Sequence, residues 1–211
     1  MAMYGGSYLG YTQWAAAKNL PKALKTIVPA AAAIPGQGLP MENNIFLNAN
    51  YAWPFFVSNG RYNDPQAYSN HNDREVNQRW YQSGRPYRDF DQIAGQPNPW
   101  LQKWLQHPSF DGYWQSMVPT AAEYQTLAIP VLSLTGYYDD GQISALQYVR
   151  DHQRYNPTAE HYLVIGPYDH FGAQHGSNDV LLRGYPLDKV AHLDVLALTF
   201  SWFDYVLKGQ P

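Results

Sequence analysis

Met1-Ala2-Met3-Tyr4-Gly5-Gly6-Ser7-Tyr8-Leu9-Gly10-Tyr11-Thr12-Gln13-Trp14 stands at the head of the chain and decides its fold. Met1 to Tyr4 supplies a few residues of strand, Gly5-Gly6-Ser7 a tight turn, and Tyr8 to Lys18 a helix that ends before Pro21. Leu24 to Val28 then reads as a short buried strand, because β-branched residues cluster there between Pro21 and Pro29. Strand, turn, helix, strand is the unit from which parallel sheets with flanking helices are built, so the class is α/β.

The same texture returns near the other end. Pro130 to Thr135 is a strand, Gly136 to Gly141 a turn, and Ile143 to Gln153 a helix. His161 to Ile165 is a further strand, followed by a Gly166-Pro167 turn, a loop bearing His170, and a last helix from Val190 to Leu207 closed by Lys208-Gly209. Between these regions the sequence is aromatic-rich, punctuated by Asn and Pro, and has no period-two alternation. Helices are predicted there over Asp73 to Gln82, Asn98 to Gln106 and Asp111 to Met117, the second opening on Pro99 at a favourable first-turn position. The chain therefore divides into 1–35, an inserted helical layer over 36–122, and 123–211. The Trp and Tyr residues of the insertion are expected first to be the core of that layer and second to line a pocket.

Composition narrows the function. The chain has 211 residues, a formal net charge of −3 and 15% charged residues, so it offers no basic stripe for a phosphate backbone and nucleic acid is not expected as a partner. With 45% hydrophobic residues it has material for a core. No cysteine is present, which removes disulfides, thiolate metal sites and cysteine nucleophiles. The longest apolar stretch noted, Ile27 to Pro35, is far too short to span a bilayer, and the first residues lack a signal-peptide pattern. A soluble chain with no membrane partner is expected, acting on a small neutral molecule or peptide. Compartment and oligomeric state leave no mark in the sequence.

Three loops follow the expected parallel strands and carry Ser7, Asp139 and His170. Ligands bind at the carboxyl ends of strands in open α/β sheets, so the three loops point to one edge. Serine attacks a carbonyl only when a base takes its proton, and the base needs an acid to orient it. The chain order Ser, Asp, His is one of the orders in which such triads occur. Around Ser7, Gly5 permits a sharp turn, Gly6 avoids a clash, and Gly10 lets the helix approach the sheet. The strict motif has glycine two places after the serine, where this chain has Leu9. No neighbouring ligand pattern among His71, His107, His152, His161, His175 and His192 points to a metal, and no cofactor is implied.

Gly5-Gly6-Ser7-Tyr8-Leu9-Gly10 with Tyr11-Thr12-Gln13-Trp14, Gly136-Tyr137-Tyr138-Asp139, and Gly166-Pro167-Tyr168-Asp169-His170 together resemble the family of X-Pro dipeptidyl-peptidases, cocaine esterase and α-amino-acid ester hydrolases. Trp104-Leu105-Gln106-His107-Pro108 with Asp111 and Trp114 is similar to the helical cap of those enzymes. The resemblance implies the C-terminal part of an α/β-hydrolase fold with an inserted cap. It implies Ser7 as nucleophile, Asp139 rather than the adjacent Asp140 as acid, and His170 as base, with Asp169 a surface carboxylate. It further implies cleavage of an ester or amide bond through an acyl-enzyme, with the backbone N–H of Tyr8 in the oxyanion hole. Relatives carry strands before the nucleophile turn, a second oxyanion donor from a tyrosine there, and a β-sandwich after the last helix. None of these is in the sequence, so a fragment of a longer enzyme is expected, with a signal peptide allowed upstream. Gly141 and Gln142 stand where amino-acid ester hydrolases carry carboxylates that read an ammonium, so amine recognition is not supported. An X-Pro dipeptidyl-peptidase and a catalytically silent binding domain are the alternatives.

Overall fold

Thr26–Ala30 and Val131–Gly136 are buried along their whole lengths, as strands covered on both faces must be. They are the centre of a four-stranded parallel sheet in the computed structural model, which describes residues 1–58, 63–71, 74–177 and 180–210. In chain order the strands are β1 (Ala2–Gly6), β2 (Thr26–Ala30), β3 (Val131–Gly136) and β4 (His161–Gly166), and they lie side by side in that order. Met3 pairs with Ile27, Ile27 with Val131, and Val131 with His161, so the carboxyl ends of all four strands share one edge.

Side chains alternate across this sheet, and each face has its own core. On one face Ile27 and Val131 meet Trp14, Leu24, Leu127 and Tyr148; on the other Val28, Leu132 and Leu134 meet Val195 and Trp202. The first core is closed by α1 (Tyr8–Ala17) and by a later helix, Gln142–Tyr155, whose Tyr148 ring stacks on Trp14 at 4.6 Å. Gly10 allows the close seat of α1, since a Cβ there would stand 2.8 Å from that of Ala32. Gln13 is buried between them, accepting from Val28 N–H at 2.9 Å and donating to the carbonyls of Gly5 and Leu9, each at 3.0 Å.

After β2 come two antiparallel residue pairs, Met41–Glu42 with Ile45–Phe46, and then short helices. These are α2 (Trp53–Val57), α3 (Pro65–His71), α4 (Arg74–Ser83), α5 (Phe90–Ala94), α6 (Pro99–Leu105), α7 (Gly112–Gln115) and α8 (Ala121–Thr126). They build a separate small core of Tyr51, Val76, Phe90 and Leu101. The expected helices appear with trimmed ends, because Asn98 and Asp111 leave the helix to cap it, accepting from Leu101 N–H and Tyr113 N–H. Asp73, the expected start of α4, lies outside the described residues.

Following β3 are α9 (Gln142–Tyr155), β4, α10 (Gly172–His175) and α11 (Val195–Lys208). The last helix begins five residues later than the sequence suggests. Lys189–Ala191 forms a separate 3-10 turn and the Asp194 side chain accepts from Ala197 N–H at 2.8 Å, which fixes the new start. By length and composition Lys189–Lys208, 20 residues, is apolar enough to cross a membrane, a run that the sequence reading passed over. Here Val195, Thr199 and Trp202 of it lie buried, and the Trp202 indole donates to Thr26 Oγ1 of β2 at 2.7 Å.

Candidate active site

Ser7 follows β1 directly and precedes α1, with φ 57° and ψ −120°. A non-glycine residue held at positive φ is strained, and here three backbone hydrogen bonds over-determine it. Ser7 N–H donates to Ala30 O at 2.9 Å, and Ser7 O accepts from Tyr11 N–H at 3.1 Å and from Ala33 N–H at 3.4 Å. Tyr8 is the first residue of α1, so its N–H has no acceptor inside the helix.

Asp139 sits three residues beyond β3 with its side chain fully buried. Its Oδ2 accepts from Thr135 Oγ1 at 3.0 Å and its Oδ1 from Gly141 N–H at 2.9 Å. The same Oδ1 stands 2.8 Å from His170 Nδ1, on the loop after β4. Asp140, its chemically equal neighbour, is 3.8 Å from that nitrogen with its side chain 88% exposed, so geometry separates the two. The Asp139 hydrogen bond raises the His170 pKa above its ordinary value; burial opposes this, and the charges of Asp139, Asp140 and Asp169 add to it.

Asp169 is not a free surface group. Its Oδ1 accepts from Phe171 N–H at 3.2 Å and Gly172 N–H at 2.9 Å and so opens the short α10. Sequence reasoning also missed Gln174. Its Nε2 donates to His170 O at 2.8 Å, while its side chain lies on Gly6 so closely that a Cβ there would be 2.2 Å from Gln174 Cγ. Gln174 thereby connects the His170 loop to the Ser7 turn. No sequence signal marks it, since the contact is between a side chain and a bare glycine. Among the described residues no hydrogen bond joins Ser7 Oγ to His170, whose Nδ1 is held by Asp139.

Asp139, Asp140 and His170 offer ligand atoms within 4.8 Å of one another, a spacing that a small cation could use. Two of these groups are already bonded to each other, and the third is a solvated carboxylate.

A cavity of about 400 Å³ opens against Ser7. Its wall includes Trp53 of α2, Trp100 and Trp104 of α6, and Trp114 beside Met117. Tyr8, Tyr11 and Tyr113 complete its aromatic lining. Of the remaining histidines, His107 stacks on Tyr113 behind the cavity wall at 4.3 Å, while His152 and His161 are packed between α9 and β4, their Nδ1 atoms 3.1 Å apart.

The profile of the X-Pro dipeptidyl-peptidase (S15) family matches residues 1–172, most of the chain. The chain belongs to that family. An α-amino acid ester hydrolase structure is 23% identical with a TM-score of 0.70, and an aminopeptidase from a marine sediment archaeon, Thaumarchaeota archaeon, is 18% identical with a TM-score of 0.70. Each aligns with 100% of this chain, which spans only 35% of either of theirs. At these identities the likeness establishes the fold, a partial α/β-hydrolase domain. No curated protein matches the chain.

Proposed function

We propose that this member of the S15 family is a serine hydrolase that cleaves ester or amide bonds through an acyl-enzyme. Residues 1–35 and 123–211 carry the chemistry, and 36–122 forms a cap beside it. The observation that carries this reading is the Asp139–His170 contact at 2.8 Å on the same sheet edge as a strained, glycine-flanked serine.

His170 Nε2 takes the Ser7 proton as Oγ bonds to the substrate carbonyl carbon. Asp139 holds the proton on Nδ1, so that Nε2 is the basic nitrogen. Negative charge gathers on the carbonyl oxygen, where the Tyr8 N–H donates; one such donor is worth roughly 3 kcal/mol in the transition state. His170 then returns the proton to the leaving atom as the bond breaks, and water releases the acyl group by the same route. No metal or cofactor takes part in this sequence.

The family match favours a second reading, an X-Pro dipeptidyl-peptidase. A panel of p-nitrophenyl esters and Xaa-Pro-p-nitroanilides separates them. Ester turnover abolished by Ser7→Ala, with anilides left intact, is the expected result. Cleavage of Xaa-Pro anilides at comparable rates would move the assignment to the peptidase, and no Ser7-dependent turnover of either would remove the serine-hydrolase reading.

A further inference from the structure

We infer that His107 and Asp111 are positioning residues for the cavity beside Ser7: together they fix Tyr113 and Trp114 of its wall and so set how tightly substrate is held, without touching the reacting atoms. This rests on the serine-hydrolase reading only in taking that cavity as the place where substrate binds.

The need for such residues begins with length. α7 is four residues, Gly112–Gln115, and a helix that short does not hold its own conformation or direction. Yet it contributes Tyr113 and Trp114 to the wall, so their placing has to come from outside the helix. Asp111 uses both carboxylate oxygens for this. Its Oδ1 accepts from Tyr113 N–H at 3.0 Å and caps α7, while its Oδ2 accepts from His107 Nδ1 at 2.7 Å. His107 in turn grips both wall residues. Its carbonyl accepts from the Trp114 indole N–H at 2.8 Å, and its ring stacks on Tyr113, the centroids 4.3 Å and the planes 15° apart.

On another side the Trp114 ring meets backbone. It lies so close to Gly36, in the loop after β2, that a Cβ there would stand 2.1 Å from Trp114 Cγ. Seated between Gly36 and the His107 carbonyl, the indole has little room, and a turn of His107 is passed on to the wall. The His107 and Asp111 side chains are 22% and 40% exposed, and an ion pair that solvated adds little to stability. What the pair supplies is orientation: with Nδ1 held by Asp111, the imidazole keeps the plane on which Tyr113 stacks. The signature of this role is weaker binding in a chain as stable as before, the reverse of what a purely structural contact gives.

Three variants of the full chain test it. Asp111→Ser keeps an oxygen to cap α7 but loses the reach to His107; His107→Leu keeps bulk but loses the donor and the flat ring; His107→Asn keeps a donor for the carboxylate. With p-nitrophenyl butyrate as substrate, KM should rise about tenfold in Asp111→Ser and His107→Leu while kcat stays within about twofold. His107→Asn should recover part of the loss, and urea midpoints should stay near that of the unaltered chain. Unchanged KM in both of the first two variants, or kcat falling together with the urea midpoint, overturns the inference. Binding is scored separately in Ser7→Ala chains, by tryptophan quenching with butyryl-p-nitroanilide, which they cannot turn over. Affinity that weakens on adding Asp111→Ser, beside a parent chain without Ser7-dependent turnover, would keep the positioning role and remove the hydrolase reading. Turnover with KM and affinity unmoved would do the opposite, and no saturable binding before Asp111→Ser is added would overturn the inference.

Discussion

His170 joins the site's geometry to its pH dependence. Its pKa is raised chiefly by the Asp139 hydrogen bond, with Asp140 adding charge from the exposed side. A base must be neutral to act, so the raised pKa places the acid limb of kcat/KM above the pH at which a free histidine would titrate. Asp140→Asn removes one of the raising charges and should move that limb to lower pH, with little change in the plateau rate. A pH–rate profile checks this, and the shift should shrink in high salt because the carboxylate is solvated. Gly6→Ala probes the other side of the site. The new Cβ would collide with Gln174 and push on the loop it anchors, so phosphonylation of Ser7 should slow by ~10-fold or more, as small misplacements of reacting groups do. Replacing Gln174 with Ala in the same chain should recover part of that rate by making room. Ser7, Asp139 and His170 stand out in the sequence as candidates because their types and the glycines around them are what a serine nucleophile, its acid and its base would require, and the structure adds the contact between the last two. Thr135, which orients Asp139, and Gln174 could not, because each acts through a contact that only the fold creates.

At the scale of elements, the central strands and their helices were readable because a doubly covered strand must be a short apolar run between breakers. The boundaries moved where a single side chain competes with the backbone, as Asp194 does at the start of α11 and Asp111 at the start of α7. What joins the elements was not readable. Ser133 Oγ on β3 stands 2.8 Å from His161 Nε2 on β4, whose Nδ1 meets His152 Nδ1 of α9, and His152 Nε2 reaches Leu127 O at 3.0 Å. With His152 Nε2–H donating to that carbonyl, its Nδ1 accepts from His161, and His161 Nε2 accepts from Ser133. This chain of bonds requires both imidazoles neutral. Burial, with the like charge of His152, pushes His161 down to about 3, and burial lowers His152 as well. An unfolded histidine takes its proton near pH ~6.5, so between that pH and about 3 unfolding takes up a proton. Stability is therefore full above pH ~6.5 and falls as the pH drops, by up to ~1.4 kcal/mol per pH unit for one such group. Urea midpoints from pH 7.5 to 4.5 should decline accordingly, and His161→Gln, starting from lower stability, should flatten the decline. A decline of equal slope in both proteins would assign the acid sensitivity elsewhere.

Across the whole molecule, the parallel sheet brings three separate loops to one edge, and α2, α6 and α7 set aromatic side chains around a cavity beside the first of them. The abundance of Trp and Tyr was plain in the sequence, but not their division between core and cavity. Trp14 is core and Trp53 is wall, a difference made by what each helix packs against, the sheet for α1 and α3 for α2. The chain covers 35% of the length of the two solved structures described above, so the most direct test asks whether these 211 residues themselves assemble a reacting serine. That test is fluorophosphonate labelling of the chain beside Ser7→Ala and His170→Ala, with peptide mapping of the adduct. The account predicts one phosphonyl group, on Ser7, absent in Ser7→Ala and strongly slowed in His170→Ala. An adduct on another residue, or no labelling of a chain that folds cooperatively, would contradict it.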